Sequence, residues 1–195
     1  MVVEITSFMV LGLIFVLLLY GILIYNKLVT LKHNVSKNWS NIDVLLKQRH
    51  DELPKLVEVC KQYMQYEQET LEKLVQARSA VMQARSGGNI KELGQAESVL
   101  RLGLGNLFAL AENYPELKAN QSYQQLQGRI SQLENGIADR REVYNEAVNL
   151  NNVRIEQFPD VLIARLFNFR DFGLLEFDAE EIRDVNMQAL FNQAR

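Results

Sequence analysis

Reactive side chains are scarce in this chain. It has one cysteine (Cys60), two histidines (His33 and His50), one tryptophan and three prolines in 195 residues. A single cysteine excludes an intrachain disulfide and a thiolate zinc site, which suits a reducing compartment. Neither histidine has a glutamate three residues before it, because Thr30 and Lys47 stand there. That removes the Glu-x-x-His pairs of a di-iron bundle. No His-Glu-x-x-His, P-loop or Gly-x-Ser-x-Gly occurs. Gly103 and Gly105 fall inside an expected helix and follow no strand, so they form no dinucleotide loop. Positive charge is never concentrated into a block, and the net charge is −3. Nucleic acid is therefore not an expected partner. No catalytic, cofactor-binding or metal-ligating residue is assigned, and no cofactor is expected. The reading is a protein that is not an enzyme. His33 reads as a surface residue and Cys60 as a small buried hydrophobe.

What the chain does have is a run without charge, residues 5–26, made mostly of Leu, Ile, Val, Phe, Tyr and Gly. About 20 such residues, rising ~1.5 Å each, span a ~30 Å hydrocarbon core. The run is too long for a signal-peptide core, has only Glu4 before it, and is followed by no small-residue cleavage site. A permanent single-pass anchor is expected, touching membrane lipid through residues 5–26. Lys27, Lys32 and Lys37 follow it and nothing basic precedes it. By the positive-inside rule residues 1–4 lie outside and the body is cytoplasmic, at the cell membrane; translocation of a long body is the alternative.

The body is rich in Glu, Gln, Lys, Leu and Ala, a helical composition. Leu28, Leu31, Val35, Trp39, Ile42 and Leu46 recur at three and four, so the span should run on as an amphipathic helix to about Arg49. A break is expected at Asp51-Glu52-Leu53-Pro54, where proline fits only a first turn. A second helix is expected from about Leu53 to Ala84, ended by Gly87-Gly88. Its seam reads Leu53, Val57, Cys60, Met64, Glu67, Leu71, Leu74, Arg78, Val81. A third runs from about Ile90 to Ala111 with Leu93, Ala96, Leu100, Leu104, Leu107 and Leu110. A turn follows at residues 113–118. A fourth starts at Asn120 or Ser122, either of which can cap it, and runs to about Asn152. Short connections make consecutive helices antiparallel. The expected fold is thus all-α: a transmembrane helix continuous with an up-down four-helix bundle at 27–156, then a short helical or irregular tail at 157–195.

That tail holds Phe158, Phe167, Phe169, Phe172, Phe177 and Phe191. Two readings stay open. Val161, Leu162, Leu166 and some of the rings fold back on the end of the bundle. Alternatively a short amphipathic element docks on lipid or a partner, with Arg165 and Arg170 facing anionic headgroups. Residues past Asp178 read as loosely held. Polar residues along the seams also carry two readings: paired interior charges that set helix register, or groups that bind a partner's carboxylate or a lipid phosphate. The candidate structural or interaction positions are Trp39, Asp43, Arg49, Asp51, Pro54, Glu67, Arg78, Tyr114, Pro115, Glu134, Asn135, Arg140, Arg141, Tyr144, Asn145, Phe158 and Pro159.

Several of these residues sit in longer motifs. Tyr25-Asn26-x-Leu28-Val29 marks the membrane exit. Trp39-x-x-Ile42-Asp43-x-x-Leu46-Lys47-x-Arg49-x-Asp51-x-x-Pro54-x-Leu56-Val57 follows. Then come Tyr114-Pro115-Glu116-Leu117-Lys118-Ala119-Asn120, Glu134-Asn135-x-Ile137-Ala138-x-Arg140-Arg141-x-x-Tyr144-Asn145-x-x-Val148, and Ile155-x-x-Phe158-Pro159. Together they resemble the LemA family of bacterial membrane proteins over nearly the whole chain. One departure is Asn151, which stands where the family usually has tyrosine beside Asn152. The resemblance implies an N-terminal anchor and an antiparallel helical bundle. It carries no catalytic residue. A relative in magnetosome formation, and family genes near a membrane zinc protease, imply membrane organisation or envelope stress. The leading expectation is a membrane-anchored scaffold that assembles as a homo-oligomer or with other membrane proteins. The alternatives are a lipid-binding membrane-remodelling module and an adaptor of a membrane protease.

Overall fold

A computed structural model describes residues 2–177. Phe191 and the other positions past 177 named above lie outside the described residues. Six helices follow one another: α1 Val2–Tyr63, α2 Gln68–Gly87, α3 Ile90–Ala111, α4 Pro115–Ala119, α5 Gln121–Glu156 and α6 Asp160–Leu166. No strand occurs among the described residues. The chain forms a helical bundle preceded by one long apolar helical segment. In outline this is the architecture that the hydrophobic spacing implies.

α1 departs from expectation at its far end. It does not break at Asp51–Pro54, because Pro54 lies inside the helix and the chain turns only at residues 64–67. Proline has no N–H, so the carbonyl four residues back, that of His50, loses its helical donor. The Nε of Arg78 donates to that carbonyl oxygen at 3.1 Å. A side chain from α2 thus supplies the bond that proline withholds, and the helix continues. The true turn has no glycine or proline. Residues from the α4 region hold it: Tyr114 donates through its hydroxyl to Glu67 at 3.2 Å, and the Asn120 amide donates to the Tyr63 hydroxyl at 3.0 Å.

The chain divides into two compact units. The first comprises residues up to 43 with 139–174; the second comprises 44–138 with the segment from 175. In the second unit the end of α1, then α2, α3 and the start of α5 line a leucine-rich core that includes Leu53, Leu56, Leu71, Leu74, Leu93, Leu100, Leu104, Leu107, Ile130 and Leu133, all buried. Each such side chain contributes about 1.5–3 kcal/mol by leaving water. Gly88, in the left-handed region at φ 69°, ends α2. Asn89 then caps α3, accepting from the Lys91 and Glu92 amides at 3.1 and 3.4 Å. Asn120, not Ser122, caps α5, accepting from the Tyr123 amide at 3.0 Å. Where a turn was expected at 113–118, residues Pro115–Ala119 form a short helix with Pro115 in its first position, where a missing N–H costs nothing.

In the first unit the start of α1 meets the end of α5 and α6. Trp39 stacks near Tyr144, with ring centroids 5.6 Å apart. Ile24, Leu28 and Ala164 form a buried cluster with Ile155, Ile163 and Phe169 against it. Before Ile24 the helix is exposed: Phe8 is 75% accessible, Phe15 61% and Leu18 62%. α1 is long and apolar enough to cross a membrane by length and composition.

Candidate functional site

The seam of α3 contains a residue that the sequence reading passed over. Leu93, Leu100, Leu104, Leu107 and Ala111 are buried, and the 4, 3 spacing from Leu93 to Leu100 runs through Glu97, which is 0% exposed. Ala96 and Leu110, expected on that seam, are only half-buried. The same period that locates the leucines therefore locates the carboxylate. Its partner is Arg49 on α1, 1% exposed. One terminal nitrogen of Arg49 donates to both Glu97 carboxylate oxygens at 2.6 Å, and the other donates to Glu134 Oε1 on α5 at 2.6 Å. Arg101 of α3 approaches the second oxygen of Glu134 at 3.3 Å. Two cations and two carboxylates thus join three helices at one level of the second unit.

Burial raises the Glu97 carboxyl above its ordinary range, against the lowering pull of Arg49, and nearby Glu134 adds to the rise. For Arg49, burial works against the charge, but the two carboxylates outweigh it and the guanidinium stays protonated. Breaking a buried pair of this kind by removing one partner costs about 3–5 kcal/mol. Both carboxylates of the cluster are paired with guanidinium groups. The cluster's evident capacity is to fix which helix faces meet.

Other candidate residues of the second unit lie on α1, α2 and α5. Arg78 lies half-buried on α2. Besides the His50 carbonyl it donates to the His50 ring nitrogen Nε2 at 2.7 Å. Burial first, and then the Arg78 charge, hold the His50 imidazole below its ordinary range, so the ring is neutral and accepts. Asp51 and Pro54 are exposed beside it. Asn135 is exposed and, with Arg101, Phe108, Ser131 and Glu134, borders a hollow of about 220 Å³. A larger open cleft of about 560 Å³ lies between the end of α1 and α2, lined by Lys61, Met64, Leu71, Glu72 and Val75 among others. Cys60 is fully buried, and burial pushes its thiol up to about 11, which leaves it unreactive at neutral pH.

In the first unit, polar side chains of α5 bind the backbone of the tail. The Asn152 amide pairs with Phe172 in both directions: its Nδ2 donates to the Phe172 carbonyl at 2.9 Å, and its Oδ1 accepts from the Phe172 amide at 3.0 Å. Asn151, 1% exposed, donates to the Arg170 carbonyl at 3.4 Å. The Tyr144 hydroxyl donates to the Gly173 carbonyl at 2.9 Å. Asn151 thus helps to hold the tail. Arg154 pairs with the buried Asp160 that opens α6. Asp43, Arg141 and Asn145 are half-buried and engaged, while Arg140 is exposed. Phe158 is exposed and precedes a cis peptide to Pro159.

The tail folds back with part of the expected set: Val161 is half-buried and the Phe169 ring turns in, but Leu162 and Leu166 do not. Ile163, Ala164 and Phe169 pack inward, whereas Leu162 and Leu166 stay 58% and 74% exposed. The sequence shows both sets as apolar; which set turns inward depends on the start of α6, fixed by Asp160 and Arg154.

In the second unit, residues 175–177 cross α3. Leu175 is buried, and Arg101 lies over the Phe177 ring at 5.5 Å. A Cβ on Gly94 would come 2.0 Å from the Glu176 carbonyl oxygen, so only glycine permits this crossing. Among the described residues no group of three or more His, Cys, Asp or Glu is placed to hold a metal ion.

A family model described as the LemA family matches residues 38–188. Magnetosome protein MamQ 2 and Magnetosome protein MamQ 1 of Paramagnetospirillum magneticum are each 24% identical over 169 residues, covering 75% of this chain and 62% of theirs. Magnetosome protein MamQ of Magnetospirillum gryphiswaldense is 23% identical with the same coverage. The chain spans less than two thirds of the length of these relatives. Neither the family description nor the relatives' names state an enzymatic activity.

Proposed function

The chain belongs to the LemA family, and on that premise we propose that it is a non-enzymatic, membrane-anchored scaffold. It self-associates and organises membrane or envelope components. The observation that carries this reading is the exposure of the apolar run at the start of α1, where Phe8, Phe15 and Leu18 are 75%, 61% and 62% accessible. A soluble monomer rarely leaves so large an apolar surface in water, and a bilayer covers it. Four of the polar groups that could have bound a partner support a structural role as well. Arg49, Glu134, Arg78 and Glu67 are engaged by other side chains of the same unit. The relatives are magnetosome proteins by name, which favours building or maintaining a cellular structure over turnover of a substrate.

Self-association draws support from α5, where Val143, Leu150 and Val153 are exposed on one side of the helix. The three lysines after the span favour an inner-membrane protein with its N-terminus outside and its body in the cytoplasm. Light scattering of the detergent-solubilised full chain should give a mass well above the 22.5 kDa of one copy. A strict monomer with no co-purifying membrane protein rejects the scaffold. Protease added to intact cells should leave the body uncut, and digestion from outside reverses the orientation.

A further inference from the structure

α6 packs through its less apolar side. Asp160 and Ala164 are buried, and Ile163 comes 3.7 Å from where a Cβ on Gly21 would be. Phe167 and Phe169 sit against Tyr25, with ring centroids 4.8 and 5.8 Å away. The opposite side is left open. Leu162 and Leu166, one helical turn apart, are 58% and 74% exposed there; Phe158, just before the helix, is 81% exposed, and Phe167 keeps 54% of its surface open despite its contact with Tyr25. Large apolar side chains this exposed are unusual for a short surface helix whose other face is already seated.

The position of α6 identifies what covers them. The part of α1 that it touches, Gly21 to Leu28, is the last stretch of the uncharged run and the residues just after it. At 1.5 Å per residue, Gly21 lies ~8 Å inside the end of that run at Asn26. Elements that lie in a membrane surface enter ~5–10 Å into the headgroup–acyl boundary. Lys27, Arg165 and Arg170 are exposed around the same junction, where long basic side chains reach lipid phosphates. We infer that Phe158, Leu162, Leu166 and Phe167 enter the boundary layer of the bilayer that α1 crosses, making α6 a second membrane contact on the side of the body. The contact is built within one chain, since α6 is held by α1, the Arg154–Asp160 pair and the Asn152 clamp on the following residues. The inference rests on α1 crossing the membrane.

The test uses the full chain in two sets of anionic liposomes, with acyl chains brominated near the headgroup in one and near the bilayer centre in the other, so that both depths are probed. An environment-sensitive dye is attached to one introduced thiol at a time: Leu162→Cys, Leu13→Cys within the span, and Tyr66→Cys, which is 94% exposed in the α1–α2 turn. Cys60 remains, being fully buried, and the unsubstituted chain is the labelling blank. The dye at 162 should lose most of its emission to brominated lipid and resist aqueous iodide. The dye at 66 should show the reverse. If position 13 is quenched by bromine but position 162 is quenched only by iodide, α6 faces water and the inference fails while the anchor stands. A dye at 162 shielded from both quenchers means that protein covers α6, which also overturns it. If position 13 escapes bromine, the anchor fails and the inference with it.

Discussion

Replacing Arg49 by methionine keeps most of the side-chain length and removes the charge that Glu97 and Glu134 share. Glu97 is then a carboxylate with no exposure and no guanidinium. Glu134, 14% exposed, retains Arg101 at 3.3 Å. The loss therefore concentrates on Glu97. A buried charge stripped of its partner costs about 3–5 kcal/mol, and at about 2–4 °C per kcal/mol for a chain of this size the melting point falls by roughly 6–20 °C. Burial gives Glu97 a way to reduce the penalty, which is to take up a proton. Its folded-state pKa lies above the ordinary 4.5 even with Arg49 present, and losing that cation raises it further. The folded form then binds more protons than the unfolded form, so the variant gains stability as pH falls toward 4.5 and loses it as pH rises. The double substitution Arg49→Met with Glu97→Leu removes both charges and should recover to within about 1 kcal/mol of the natural chain, because a buried pair exchanged for apolar residues is often neutral. Urea unfolding of the detergent-solubilised full chain, followed by far-ultraviolet circular dichroism at several pH values, measures all three. An Arg49→Met loss below about 1 kcal/mol, the size of a surface pair, would falsify the buried-pair reasoning, as would a double variant no more stable than the single one.

Three further outcomes follow from the geometry. His50 is held below its ordinary pKa of 6.5 by burial and Arg78, so its contribution to stability is complete above that pH and is lost as pH falls through the folded value; His50→Gln, which still offers an acceptor, should flatten this part of the melting-point profile. Arg78→Met leaves the His50 carbonyl without its donor and should cost about 1–3 kcal/mol; the loss should shrink in a Pro54→Ala background, where a helical N–H returns, and equal losses in both backgrounds refute the proposed substitution of Arg78 for the missing bond. Gly94→Ala places a methyl 2.0 Å from the Glu176 carbonyl oxygen and should expel residues 175–177 from α3, seen as faster hydrogen exchange at Leu175 with little change in helicity.

Local sequence specified the apolar helix at residues 5–26, the amphipathic period of the body, the stop at Gly88 and the inert Cys60. Each of these is encoded locally, by the period of apolar side chains or by residues with one conformational use. It also held the signal for Glu97, since the seam of α3 passes through that position, although a carboxylate in such a run reads as a surface residue until its partner is known. Tertiary structure alone decided the rest. Whether Pro54 ends a helix depends on a donor from Arg78, 24 positions away on another helix. The turn at 64–67 has no local breaker and rests on Tyr114 and Asn120. The tail was undecided in sequence because Ile163 and Leu162 are equally apolar neighbours; the salt bridge of Arg154 to Asp160 and the shape of α1 at Gly21 turn one inward and leave the other exposed. Local period reports which residues avoid water, whereas long-range hydrogen bonds and steric fit select the surface that each one meets.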